Sequence, residues 1–134
     1  LKEFVPLAGS IFGNPLDSRS LMSREGISAV LRRLGKLPDI HMLVYHLGYH
    51  PVSRWGSGRL SSAFLQSAID ALLEAKQANG KPVLLALHPA PDLPAAKDFF
   101  AVQEAFVEAG FPVFHSLSKL AKAMARVVAW NQAR

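Results

Sequence analysis

The sequence predicts an α/β fold with a mainly parallel sheet wound by right-handed crossover helices. Two observations carry this prediction. Segments with helical apolar spacing alternate with short apolar, partly β-branched runs, and the connections between them are short. The clearest of those runs, Val83 to Leu87 inside "KPVLLALHPA", is uninterrupted, as suits a parallel strand covered on both faces.

Each element has its own signal. From Ser23 the apolar positions Ile27, Val30, Leu31 and Leu34 recur at helical spacing, with Ser23 as N-cap and Gly35 as stop. "DIHMLVYHLG", Asp39 to Gly48, reads as a strand that holds His41 partly buried and hydrogen-bonded inside it. A loop, "GYHPVSRWGSGR", leads to a second helix capped by Ser61 or Ser62 and ended by Asn79-Gly80. Its buried stripe is Phe64, Leu65, Ala68, Ile69, Leu72 and Leu73. After the Val83–Leu87 strand, a third helix spans approximately Pro94 to Ala109, with Phe99, Val102, Phe106 and Val107 apolar and Gly110 following it. "FPVFHS" is a last short strand. Ser116 or Ser118 then opens a final amphipathic helix through Leu120, Met124, Val127 and Val128.

Composition bounds the rest. The chain has 134 residues, half of them hydrophobic, enough for a single domain over 1–134 with a sizeable core. Charged residues make up 19% and no low-complexity run occurs, which argues against disorder. No apolar run approaches the roughly 20 residues of a membrane span, so no membrane partner is expected. Lys2-Glu3, Pro6 and Gly9 interrupt any secretory pattern, and a cytoplasmic location is the expectation. The first residue is Leu, which suggests a fragment of a larger multidomain protein. Without cysteine there is no disulfide framework, thiolate metal site or thiol nucleophile. The net charge of +5 is spread out, Arg32-Arg33 being the only adjacent basic pair, and no nucleic-acid partner is expected.

Ligands on open α/β sheets sit beyond the carboxyl ends of the strands, which points to "NPLDSRS", "HLGYHPVSRWGSGR", "HPAPDLP" and "HSLS". Histidines fall at these ends: His46, His50, His88 and His115. His46 and His88 are the candidate strand-end site, for acid/base work or a ligand, set against the plainer reading that polar residues gather wherever strands emerge. Neither His-Glu-x-x-His nor a Cys/His cluster is present, so no metal is expected from motifs. Gly-x-Ser-x-Gly and phosphate-loop motifs are absent as well. Gly56-Ser57-Gly58, between Arg54 and Arg59, is either a surface loop or an anion contact.

"NPLDSRSLMSREG" carries the sharper signal. Pro15 fixes one dihedral and restricts Asn14 to extended geometry, while Asn14 and Asp17 can bond nearby amides, so a rigid turn precedes a helix start. The positive end of that helix is a ready anion site to which Arg19 or Arg24 adds charge, or it is an ordinary capped start. Both readings stand at this level.

Asn14-Pro15-Leu16-Asp17 before a helix, then "PDIHMLVYHLGYHP", "GKPVLLALHPA" and "FVEAGFPVFHSLSKLAKAMARVVAW", resembles a known pattern over nearly the whole chain from Gly13 onward. The resemblance is to the C-terminal flavodoxin-like ligase domain of ADP-forming acyl-CoA (acetyl-CoA) synthetases. The pattern is also similar to the C-terminal domain of the succinyl-CoA synthetase β subunit. The resemblance implies a flavodoxin-like three-layer α/β/α domain within an enzyme that converts acid, CoA and nucleoside triphosphate to acyl-CoA, nucleoside diphosphate and phosphate through a phosphohistidine. It implies that the helix opening near Ser23 faces the phosphate, with Asn14, Asp17, Ser18, Arg19, Ser20, Ser23 and Arg24 as the phosphate-facing set. Where the family usually places small residues, this chain has Ser18-Arg19-Ser20-Leu21-Met22, and Leu47-Gly48-Tyr49 stands where the succinyl enzyme has a Gly-Gly pair. None of the five histidines matches the phosphorylated one, so no catalytic residue is assigned and the isolated chain is expected to be inactive. CoA and ATP or ADP with Mg belong to the full enzyme. The implied partners are CoA-binding and nucleotide-binding (ATP-grasp) domains of the same or a partner chain. A noncatalytic interaction or regulatory module with the same fold, and a small stand-alone hydrolase using His46 or His88, are the alternatives.

Overall fold

The computed structural model describes residues 11–17, 23–48, 62–88 and 93–134. In chain order these form β1 (Ile11–Phe12), β2 (Leu16–Asp17), α1 (Arg24–Gly35), β3 (Leu43–Gly48), α2 (Ser62–Asn79), β4 (Val83–His88), α3 (Leu93–Glu108), β5 (Val113–Phe114) and α4 (Leu117–Gln132). Among the described residues, four helices accompany a three-stranded parallel sheet of order β3-β4-β5, a small α/β fold. Two compact units divide the described residues, one of 11–43 with 62–83 and one of 44–48 with 84–134.

In the first unit, β1 and β2 pair antiparallel, Ile11 with Asp17 and Phe12 with Leu16, as a separate two-stranded ribbon. Asn14 and Pro15 therefore turn a hairpin instead of leaving a strand of the parallel sheet, and the bond between them is cis. Gly13, Asn14 and Pro15 are turn formers, and Pro15 has no N–H to give a ladder.

α1 begins where expected. Ser23 has extended backbone, its Oγ accepts from the Gly26 N–H at 3.1 Å, and its carbonyl accepts from Ile27 at 2.9 Å. Ile27, Val30 and Leu31 are buried, and α1 packs along α2. Gly35 is the last helical residue, with Lys36 as a right-handed C-cap, so Gly35 does not end the helix through a left-handed turn. It serves close approach instead: a Cβ there would lie 2.1 Å from Asn79 Cγ, while Asn79 Nδ2 donates to the Leu31 carbonyl at 3.3 Å.

The strand predicted from Asp39 starts only at Leu43. Ile40 N–H bonds back to the Leu37 carbonyl, which also accepts from Lys81 Nζ at 2.7 Å, so the chain around Pro38-Asp39 is a turn. His41 is accordingly exposed and outside the strand, contrary to expectation. Along α2 the fully buried positions are Ala68, Ile69, Ala71, Leu72 and Ala75, whereas Phe64, Leu65 and Leu73 are half-buried. α2 gives way to Gly80, whose φ of +62° suits glycine.

In the second unit β3 alternates strictly, with Tyr45 and Leu47 buried and Val44 and His46 exposed. β4 is buried from Val83 through Leu87, as its unbroken apolar run predicts, and only His88 is exposed. β5 runs parallel to β4, with Leu85 opposite Val113 and Ala86 opposite Phe114. The α3–β5 reversal explains "AGFPV". Gly110 at φ +82° bonds to the Val107 carbonyl and Phe111 to the Phe106 carbonyl, a Schellman cap closed by the Phe106 and Phe111 rings at 6.2 Å. Phe99, Val102 and Phe106 are buried, but Val107, one step round the helix from Phe106, is 53% exposed. α4 is capped by Ser116, not Ser118, with its Oγ accepting from Lys119 N–H at 3.2 Å. Leu120 is buried, yet Val127 and Val128 on the continuing apolar stripe are 48% and 43% exposed.

Candidate functional site

The start of α1 is built on complementary spacing. Arg24, Ser28 and Arg32 recur every four residues along α1, and Asp70 and Glu74 do the same on α2, so the two rows meet along the helix pair. Arg24 Nη1 lies 3.5 Å from Asp70 Oδ2, while the other carboxylate oxygen, Asp70 Oδ1, accepts from Gln66 Nε2 at 2.8 Å. Glu74 accepts from Ser28 Oγ at 3.0 Å and pairs with Arg32. The Ser28 hydroxyl and then the Arg32 guanidinium hold the Glu74 carboxyl below its ordinary value. An open cleft of ≈ 310 Å³ is lined by Arg24, Glu25, Ser28, Ala29, Arg32 and Glu74. Both of its arginines are already paired within the two helices, Arg24 with Asp70 and Arg32 with Glu74. Sequence reasoning passed over this ladder, although the fourfold spacing of opposite charges on two neighbouring helices was its signal.

The proposed phosphate-facing residues are placed as follows. Asn14 is exposed in the hairpin turn and Asp17 is exposed on β2. Ser18, Arg19 and Ser20 lie outside the described residues, as do His50 and the Arg54–Arg59 loop. Ser23 is the N-cap, so its hydroxyl already satisfies one first-turn N–H, and Glu25 adds a negative charge beside the positive end of the helix. Arg24 is exposed and shares its charge with Asp70.

The strand-end histidines do come together. His46, on the exposed face of β3, and His88, the last residue of β4, have ring centres 6.3 Å apart at an interplanar angle of 63°. His115 sits elsewhere in that unit, its Nε2 2.6 Å from Gln103 Oε1 and its ring against Phe99. Among the described residues no three His, Asp or Glu side chains converge as a metal cluster, and no helix is long and apolar enough to cross a membrane.

The fold and this geometry define a small α/β protein. Compared with known proteins, the chain matches no family model, no curated protein and no solved structure.

Proposed function

We propose that this chain is a flavodoxin-like, three-layer domain of an NDP-forming acyl-CoA synthetase. It contributes the N-terminus of α1 toward a phosphohistidine phosphate and an interface to CoA-binding and ATP-grasp domains. The observation that carries the reading is the agreement between motif order and element order. Asn14-Pro15-Leu16-Asp17 precedes α1, Lys81-Pro82-Val83 opens β4, Ala109 to Val113 forms the capped reversal into β5, and an amphipathic α4 follows.

In this role the chain makes and breaks no bond. The first turn of α1 offers N–H groups and the positive end of the helix dipole to a transferred phosphoryl group, and Arg19 or Arg24 adds a charge-assisted contact. Binding phosphate asks Ser23 Oγ to share or yield the Gly26 N–H and Arg24 to turn from Asp70, both exposed adjustments. CoA, nucleotide and Mg are held by the partner domains. The uncovered end of α4, with Val127, Val128 and Trp130, supplies apolar area for such an interface.

A second reading is favoured by the closed charge ladder and by Glu25 in the first turn: an interaction module that keeps the fold and has lost the phosphate site. Its partner binding would be insensitive to Asn14 and Arg19. Reconstitution separates the two. Mixed with CoA-binding and ATP-grasp domains of an NDP-forming synthetase deprived of its own ligase-type domain, the chain is expected to restore acyl-CoA formation, and Arg19→Glu to weaken it. Association with those domains without turnover supports the module reading.

A further inference from the structure

We infer that His46 and His88 form a chelating pair for a borderline divalent transition-metal ion, Zn²⁺ or its neighbours Ni²⁺ and Cu²⁺, at the carboxyl ends of β3 and β4. The sheet places the two residues on adjacent strands, and the alternation that buries Tyr45 and Leu47 turns His46 outward. β4 is buried over its first five residues and exposes its sixth, His88, at the end where open α/β sheets receive ligands. Two imidazoles sharing one ion at Zn–N distances of about 2.0–2.1 Å have ring centres roughly 5–6 Å apart. The observed 6.3 Å lies close to that separation, and both side chains are exposed.

The donor set selects the ion. Neutral imidazole nitrogen suits Zn²⁺, Ni²⁺ and Cu²⁺, whereas Mg²⁺ and Ca²⁺ require oxygen donors. Two protein ligands leave the remaining positions of the ion open, so it would carry exchangeable water and accept an oxygen or nitrogen ligand from a substrate or a partner. The pair lies outside any His-Glu-x-x-His pattern because its members are separated by a full crossover connection and meet only through strand pairing. The inference does not rest on the ligase reading, since neither α1 nor Arg19 takes part.

The test is calorimetric titration of the metal-free, untagged chain with ZnCl₂ in a non-chelating buffer, with ring resonances of the histidines followed by NMR. One site is expected, with His46 and His88 resonances moving together. Either His46→Ala or His88→Ala should weaken binding by about tenfold or more. His41→Ala, which removes an exposed histidine outside the sheet, should leave it unchanged. Both substitutions fall on exposed side chains, and an unchanged amide spectrum elsewhere verifies the fold. Zn²⁺ binding unaffected by His46→Ala or by His88→Ala, or no binding up to roughly millimolar Zn²⁺, would overturn the inference.

Discussion

Tyr45 offers a direct check on the register of β3, on which the exposure of His46 depends. The residue is 6% exposed, and burial pushes its phenol up from 10.0 to about 12. The perturbation is alkaline pH. The folded state disfavours the phenolate, so the contribution of Tyr45 is fully present below the unfolded value near 10 and is lost as pH rises toward 12. By linkage, a two-unit separation removes about 1.4 kcal/mol at roughly pH 11 and about 2.7 kcal/mol once both states are ionised. Urea unfolding of the wild type and of Tyr45→Phe at roughly pH 9 and pH 11 reads this directly, because Tyr45→Phe keeps the ring and removes the titrating hydroxyl. The wild type should lose about 1.4 kcal/mol more than the variant between those two pH values. Absorbance near 295 nm should show one phenol, absent from Tyr45→Phe, ionising well above the ordinary range. An ordinary ionisation of Tyr45 would refute the argument. It would mean a β3 turned over by one residue, with His46 inward and the histidine pair dissolved.

Other outcomes follow from the same geometry. Glu74 is held below its ordinary value by Ser28 and Arg32, so the stability it contributes is present above the unfolded carboxyl value and is lost as pH falls through the folded one. Ser28→Ala should therefore raise the Glu74 midpoint in a carboxyl-carbon NMR titration, and an unmoved midpoint would count against the Ser28 bond. Along α4, Leu120→Ala should cost about 2–4 kcal/mol in urea unfolding, whereas Val127→Ala should stay within about 0.5 kcal/mol. Equal costs at the two positions would show that the distal half of the helix is covered. A Gly110→Ala chain should be destabilised by about 1 kcal/mol or more, because a side chain at φ +82° strains the Schellman cap.

The sequence was most legible where one local rule had no competitor. The unbroken Val83–Leu87 run suits a strand covered on both faces, and Ser23 is legible as a cap because it precedes a helical apolar period, whereas the choice between Ser116 and Ser118 is made only by the structure. The sequence misled where tertiary contact decides. "DIHM" is apolar enough to extend a strand, but Pro38-Asp39 turns the chain and Lys81 ties down the Leu37 carbonyl, leaving His41 outside. Gly35 looked like a helix stop, while its absent side chain makes room for Asn79, 44 positions away in the chain. Val107, Val127 and Val128 keep helical spacing whether they face a core or a partner, so spacing alone could not show that they are exposed. As for the candidate site, strand ends drew attention to His46 and His88, but only strand order brings them together.

The N-terminus of α1 is proposed to receive phosphate. The most direct measurement of this is a titration of the chain with inorganic phosphate at low salt, following backbone amides by NMR and repeating it with Arg19→Glu. Saturable shifts centred on Arg24, Glu25 and Gly26, weakened by the substitution and absent with equal chloride, are predicted. Amides of that first turn unmoved up to tens of millimolar phosphate would contradict the account.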